Sequence, residues 1–152
     1  MQKEDIISKI DRLTKGPVYI IDIFPNKVPS KPDNRYFEFE NFIQNNREEI
    51  DWKFMIILLK LYCYYDFWVS SCALEQDVFE NPDLSHLIGL AKSCFMGKSI
   101  NIILPECDSM IVLNGDDLYM SVYNPNDHLK SLISDLSQSE GLFFREVPEE
   151  SK

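Results

Sequence analysis

The chain has 152 residues, of which 45% are hydrophobic and 26% charged, a balance typical of one globular domain. This composition excludes a disordered chain, a collagen, a coiled coil and a disulfide-rich miniprotein. The 25 acidic residues outnumber the 15 basic ones, and a net charge of −10 argues against general nucleic-acid binding, which needs cations to replace the counterions of the phosphates.

Hydrophobic periodicity and turn residues predict helices and strands along the whole chain. Residues 36–45 fit either a strand or a helix, and we favour the helix. Residues 51–62 are apolar nearly all round, which predicts a central, buried helix. In chain order, the patterns predict a helix at 3–14, a strand at 18–24, helices at 36–45 and 51–62, a strand at 64–70, a helix capped by Asn81 that starts at Pro82, a strand at 99–104, strands within 109–123, a helix that opens at 124–125 and ends before Gly141, and a strand at 142–147.

The strongest local signal is the Asn114-Gly115 pair between two β-type runs, which predicts a two-residue type I′ hairpin. In that register Leu113 pairs with Asp116 and Ile111 with Leu118. The face predicted to be core contains Ile111, Leu113, Leu118, Met120 and Val122. The opposite face contains Met110, Val112, Asp117, Tyr119, Ser121 and Tyr123.

The order of elements predicts a single α+β domain over residues 1–147, with a mixed sheet of five or six strands packed with four or five helices. Residues 148–152 are expected to form a disordered tail. The longest apolar-rich run, 54–65, is too short to span a bilayer, and the charged N-terminus lacks the apolar stretch of a signal peptide. We therefore expect a cytoplasmic protein without membrane contact.

The cysteines offer neither a CxxC pair nor the spacing of zinc ligands. Cys63 and Cys94 lie among apolar residues, which predicts buried, reduced side chains. We expect free thiols at all four positions and no metal or cofactor. These positions are Cys63, Cys72, Cys94 and Cys107.

The chain contains no nucleotide-binding, hydrolase or metalloprotease motif. His86 and His128 fall in predicted helices 42 residues apart, and we interpret them as solvent-facing. Asp22 lies in an apolar strand, where an acid needs a partner or a raised pKa, or marks a strand end that faces solvent. Asp116 and Asp117 could hold a hard cation together with carboxylates 106 or 108, but acids are also common at a solvated hairpin tip. These features favour a protein that is not an enzyme.

The charge is unevenly distributed along the chain. Residues 1–60 are neutral, with ten acids and ten bases, whereas residues 61–129 contain ten acids and only two lysines. An acidic segment attracts cationic partners and accelerates their encounter, and tyrosine is frequent at binding hot spots. We predict a surface that binds a basic protein, and the residues assigned to it are Glu106, Asp108, Asp116, Asp117, Tyr119 and Tyr123.

Four stretches spread along the chain resemble those of small bacterial proteins of about this length. They are 19–23 running on to 28–29 (YIIDI and VP), 61–66 (LYCYYD), 116–119 with 122–125 (DDLY and VYNP), and 140–143 (EGLF). Such proteins are similar to the immunity proteins of polymorphic toxin and contact-dependent inhibition systems. The resemblance implies a small cytosolic inhibitor that binds one toxin domain, and it assigns no site residues.

The leading hypothesis is a stoichiometric inhibitor, an immunity protein whose carboxylates imitate phosphates and occlude the active site of a basic toxin domain such as a nuclease. A second hypothesis is a non-enzymatic scaffold or regulatory subunit that acts as a homodimer. A third is an enzyme with a site around Asp22, His86 or His128. A cleft that joins a histidine to a perturbed acid would favour the enzyme.

Overall fold

The computed structural model describes residues 3–30, 33–71 and 77–148. Across these ranges the chain forms an α+β domain, which confirms the predicted class. Its strands are β1 (Val18–Asp22), β2 (Trp68–Ser71), β3 (Val78–Glu80), β4 (Ser99–Leu104), β5 (Ser109–Asn114), β6 (Tyr119–Tyr123) and β7 (Phe143–Glu146). Its helices are α1 (Lys3–Leu13), α2 (Arg35–Gln44), α3 (Glu48–Tyr62), α4 (Leu84–Cys94) and α5 (Asp127–Ser139), with a short 3-10 turn at Pro105–Cys107.

The seven described strands form one sheet in the order β3-β2-β4-β5-β6-β1-β7, and every neighbouring pair is antiparallel. The prediction of a mixed sheet of five or six strands is therefore wrong in strand number and direction. The missed strand is β3, a three-residue edge strand that is too short to show an alternating pattern.

The sheet is covered unequally on its two faces. Helices α3, α4 and α5 bury the main core against one face, and α3 contributes its centre with Phe54, Ile57 and Leu58, each fully buried. On the other face α1 packs Ile6 and Leu13 against β4 and β5. Because α1 packs mainly against β4 and β5, the outer face of β1, β6 and β7 is more open, with α2 at its edge, and this open half of the sheet carries the cleft described below.

The hairpin between β5 and β6 follows the predicted faces but not the predicted turn. Leu113 pairs with Met120 and Ile111 with Val122, so residues 115–118 form a four-residue loop. Neither Asn114 nor Gly115, the two residues predicted to form the turn, has the positive φ that a type I′ turn requires. All five residues predicted to face the core are buried, because the register differs from the expected one by an even number of residues and side chains alternate with a period of two.

Several local predictions need correction. Asn81 does not cap α4, because its side chain accepts a hydrogen bond from the Phe67 amide at 2.9 Å, and Asp83 caps the helix instead. Cys63, predicted to be buried, is exposed because it follows the last residue of α3.

Other local predictions are confirmed. Helix α5 ends before Gly141, as predicted, and the φ of +74° at this glycine accompanies a hydrogen bond from the Leu142 amide to the Ser137 carbonyl. Cys63 and Cys107 are free thiols, and Cys94 is buried. Cys72 and residues 149–152 of the predicted tail lie outside the described residues. None of the described helices has the length and apolar character needed to cross a membrane.

Candidate functional site

A cleft of about 570 Å³ opens where the open half of the sheet meets α2 and the β5–β6 loop. Its floor is the outer face of β1 and β7, where Ile20, Asp22 and Arg145 lie. One wall is the loop 23–30 with the first turn of α2, and the other is the loop from Asp116 to Tyr119. The groove continues along the outer face of β6 and β1 towards residues 14–18.

Arg47, between α2 and α3, holds the acidic loop in place. Its guanidinium donates to the carbonyl oxygen of Gly115 at 2.5 Å and to that of Asp117 at 3.1 Å. It also forms an ion pair with Asp51 at 2.9 Å, in which both side chains are largely buried. Burial raises the pKa of Asp51, while the adjacent guanidinium opposes that rise. The loop that carries Asp116 and Asp117 is thus attached to the helical layer through its backbone.

Gly115 allows the loop to approach α4. A Cβ atom built at this position would lie 1.6 Å from the Cys94 carbonyl oxygen, so no other residue fits without a backbone shift. The Gly115 amide also donates to the Lys98 carbonyl at 3.1 Å. The glycine is therefore needed for close packing rather than for the turn conformation that the sequence suggested.

Asp22, on the cleft floor, is neutralised by a neighbouring strand. It is 93% buried, and its carboxylate accepts from the Arg145 guanidinium at 2.7 Å and from the Ile23 amide at 2.7 Å. The expectation that a buried acid needs a partner is met by this ion pair. The alternative that Asp22 marks a strand end facing solvent is wrong.

The cleft keeps a surplus of carboxylates. Five acidic and three basic side chains line its described walls. Asp22 pairs with Arg145, and Asp33 pairs with Arg35 at 2.9 Å. Lys27 is then the remaining basic side chain among the described lining residues. The carboxylates that outnumber it are Glu40, Asp116 and Asp117.

Desolvation acts on the acidic and phenolic groups of the cleft. Burial, followed by the neighbouring Asp116, raises the pKa of Asp117, and Arg47 opposes this rise. The Asp117 carboxylate accepts no hydrogen bond from another described residue. Burial also raises the pKa of Tyr119, with Asp117 as the next cause. Burial and a hydrogen bond to Glu40 raise the pKa of Tyr36, and Asp22 and Tyr119 contribute further. These groups, from α2, β1, β6 and the β5–β6 loop, thus interact across one small space.

Helix α2 forms an aromatic wall above the carboxylates. None of its residues is buried, although four of its ten side chains are aromatic. Tyr36 and Phe39 contact the Phe24 ring, with centroid distances of 6.2 Å and 5.4 Å. Phe37 lines the cleft and is 64% exposed, whereas Phe42 is 63% exposed and does not line it. Solvent-exposed aromatic surface on this scale is typical of a binding site rather than of a core helix.

The six residues predicted to bind a partner do not form one surface. Asp116, Asp117 and Tyr119 line the cleft at one end of β5 and β6. Glu106 and Asp108 lie at the other end of these strands, roughly 20 Å away by the rise per residue of a strand. Tyr123 lies four residues from Tyr119 on β6, about 13 Å away by the same rise, and lines the continuation of the groove.

At that far end the carboxylates already have partners. Asp108 pairs with Arg12 at 2.7 Å and with Lys9 at 3.4 Å, and hydrogen bonding to Arg12 lowers the pKa of Asp108. Glu106 accepts from the Asp66 amide at 2.8 Å, and Tyr123 packs near α1. The hypothesis that Asp116 and Asp117 share a cation with these carboxylates is therefore wrong, because the two groups lie at opposite strand ends.

The histidines stand apart from the cleft and from each other. His86 is exposed and packs against the Phe79 ring, and His128 is exposed and lies 2.9 Å from the Tyr65 hydroxyl through Nδ1. Neither joins a perturbed carboxylate in the cleft. Across the described residues, no group of three or more His, Cys, Asp and Glu side chains is arranged to hold a metal ion.

The sequence indicated Asp116, Asp117, Tyr119 and Asp22 as residues of interest but missed Glu40, Tyr36 and Phe37. These three lie on α2, whose sequence fitted either a strand or a helix. That ambiguity was itself a sign of an exposed helix, because a helix without a clear apolar face does not pack into a core. No protein-family model, curated protein or solved structure matches the chain.

Proposed function

We propose that the protein is a non-enzymatic inhibitor that binds a basic protein, an immunity protein for a toxin domain such as a nuclease, through the cleft between α2 and the β5–β6 loop. The observation that supports this proposal is the excess of carboxylates under an aromatic wall, in which Glu40, Asp116 and Asp117 face one lysine. A cationic side chain of the partner would neutralise these acids, and the exposed aromatic rings would supply apolar contact area.

The electrostatics of the cleft favour a cationic ligand over a neutral one. Asp117 is partly desolvated beside another acid and has no hydrogen-bonding partner among the described side chains. Such a group raises the free energy of the unbound protein when it is ionised. A bound cation removes that penalty, so part of the binding energy comes from relief of an unfavourable interaction already present in the free protein.

Catalysis is a weaker interpretation of the same groups. The buried acid, Asp22, is already engaged by the Arg145 guanidinium and the Ile23 amide. The cleft contains no histidine, and its tyrosine hydroxyls have raised pKa values, which makes them poorer bases and nucleophiles at neutral pH. Inhibition by occlusion needs only complementary shape and charge.

The test is neutralisation of a toxin. Basic toxin domains, beginning with any encoded next to this chain, are co-expressed with the wild type or with the double variant Asp117→Lys, Tyr119→Ala, and growth and the dissociation constant are measured. We expect the double variant to bind about 30-fold more weakly or worse, the effect of losing roughly 2 kcal/mol at a hot spot.

The matched control is Asp135→Lys, a charge reversal at an exposed position of α5 outside the cleft. It should protect cells as well as the wild type does. Thermal unfolding of both variants establishes that the domain remains folded. Equal affinity of the double variant and the wild type for the toxin domain would refute the proposed site.

A further inference from the structure

Building on the proposed function, we infer that the cleft recognises an arginine side chain of the partner in preference to lysine, with the guanidinium held between Tyr36 and Tyr119 and hydrogen-bonded to Asp117 and Glu40. Charge complementarity alone does not distinguish arginine from lysine as the side chain that enters the cleft.

The arrangement of acceptors favours a guanidinium. Carboxylates line the same cleft from two sides, Glu40 from α2 and Asp117 from the β5–β6 loop. The Tyr36 hydroxyl is hydrogen-bonded to Glu40, and Asp117 contributes to the raised pKa of Tyr119. A guanidinium has five N–H donors spread in a plane and can satisfy separated acceptors at once, whereas an ammonium is a compact point charge. Acceptors dispersed around a space therefore suit arginine.

The aromatic walls favour the same group. Tyr36 and Tyr119 line the same cleft from opposite sides. Tyr119 is among the groups that raise the pKa of Tyr36, and Asp22 contributes to the raised pKa of both phenols. A guanidinium stacks on aromatic faces and is more weakly hydrated than an ammonium, so it loses less on entering a partly desolvated site. Phe37 extends this aromatic surface outward, where the aliphatic part of the arginine side chain would lie.

The site already contains an internal precedent for this pairing. Arg145 lies on the cleft floor and donates to the Asp22 carboxylate at 2.7 Å. Arg47 uses its donors on the carbonyls of Gly115 and Asp117 and on the Asp51 carboxylate, whereas the Asp117 carboxylate, which lines the cleft, accepts no hydrogen bond from it. The carboxylates of this region therefore differ in their partners. Asp22 is satisfied by Arg145, and Glu40 accepts from the Tyr36 hydroxyl but keeps acceptor capacity for an incoming group. The Asp117 carboxylate has no hydrogen-bonding partner among the described residues.

The experiment uses Nα-acetyl-arginine amide as the probe, with Nα-acetyl-lysine amide and Nα-acetyl-citrulline amide as comparisons. Binding to the intact protein is followed by amide chemical shifts in NMR. We expect shifts at cleft residues and an arginine affinity about threefold or more above that of lysine, from stacking and additional hydrogen bonds. The citrulline probe is nearly isosteric but neutral and should give no saturable shifts.

Two variants separate ring stacking from charge. Tyr119→Phe keeps the aromatic face and should retain the preference for arginine. Tyr119→Leu removes the ring, so the affinity for the arginine probe should fall to about the affinity for the lysine probe. Equal or tighter binding of lysine, or no saturable shift with the arginine probe, would overturn the inference. The proposed function is tested separately. If the arginine probe fails in either way but replacement of Asp117 still weakens binding of the toxin domain, the cleft binds its partner through a group other than arginine.

Discussion

At the scale of single residues, Asp117 combines a fixed backbone with a carboxylate that the fold leaves without a hydrogen-bonding partner among the described residues. Its backbone is fixed, because its carbonyl accepts from Arg47 at 3.1 Å and its amide donates to the Asn114 carbonyl at 3.1 Å. Its carboxylate is nevertheless partly desolvated beside Asp116, which raises its pKa. A residue held in an environment unfavourable to its charge is a candidate for function, since the fold gains nothing from that charge.

We predict that Asp117→Asn makes the folded domain slightly more stable while weakening partner binding. A folded-state pKa above the unfolded value means that the folded protein binds the extra proton, so stability falls as pH rises through that window. Asparagine does not ionise, so the variant does not lose stability as pH rises through this window. Because solvent screens a partly exposed carboxylate, the gain at pH 7.5 should be on the order of 1 °C in Tm, and it should disappear near pH 3, where both states are protonated.

The matched control for this prediction is Asp135→Asn, which removes the same charge from an exposed position. It tests whether any gain comes merely from a lower net charge on a protein of charge −10. Differential scanning fluorimetry across pH 3–8 gives the comparison. A less stable Asp117→Asn at neutral pH would mean that the carboxylate serves the fold.

At the scale of elements, α2 is the least buried helix in the described chain and the one that shapes the cleft. Its inward contacts are few: ring contacts of Tyr36 and Phe39 with Phe24, and a hydrogen bond from the Gln44 side chain to the Asp116 carbonyl at 3.4 Å. The asparagine at its N-cap makes no capping hydrogen bond. The helix therefore positions aromatic side chains beside the acidic loop at little benefit to the core.

We predict that Phe37 and Phe42 differ in their effects on binding although they are equally exposed on the same helix. At 3.6 residues per turn they project about 140° apart, and only Phe37 lines the cleft. Phe37→Ala should weaken partner binding about tenfold, and Phe42→Ala should change it less than about twofold. Isothermal titration against the toxin domain measures both. Equal losses would indicate that the whole helix, not the cleft, forms the contact.

The elements also show what could be read from the sequence and what could not. The faces of the β5–β6 hairpin could be predicted, because alternation survives a register change by an even number of residues. The loop could not, because Gly115 is required by the carbonyl of residue 94, a contact between segments distant in sequence. The same applies to the site: Asp117 and Tyr119 could be found from local pattern, whereas Glu40 and Tyr36 joined them only through the packing of α2.

At the scale of the whole molecule, the acidic segment 61–129 does not produce one acidic face. Strand pairing brings Asp66, Glu106 and Asp127 to one end of the sheet, while Asp116 and Asp117 lie at the other. Several charges at the first end have partners, such as Asp127 with Lys130 at 3.8 Å. A segment rich in acids therefore provides two functions: a long-range negative field and, at one end, a desolvated site.

These two functions should separate in the kinetics of binding. Remote, exposed charges act on encounter, so Asp66→Asn combined with Asp127→Asn should lower the association rate less than about twofold and leave the dissociation rate unchanged. Desolvated groups act after contact, so Asp116→Asn combined with Asp117→Asn should raise the dissociation rate about tenfold. Both pairs remove two negative charges, so net charge is matched.

Surface plasmon resonance with the immobilised toxin domain resolves the two rates, and salt provides an independent check. For the wild type the association rate should fall as the salt concentration rises past about 0.15 M, where the Debye length is about 8 Å, while dissociation changes little. The double variant Asp66→Asn, Asp127→Asn should retain most of this salt dependence, because its net charge falls only from −10 to −8. If the Asp66→Asn, Asp127→Asn variant instead raised the dissociation rate as much as the Asp116→Asn, Asp117→Asn variant, the contact would have to extend along the full length of the sheet. The cleft would then be only part of the interface.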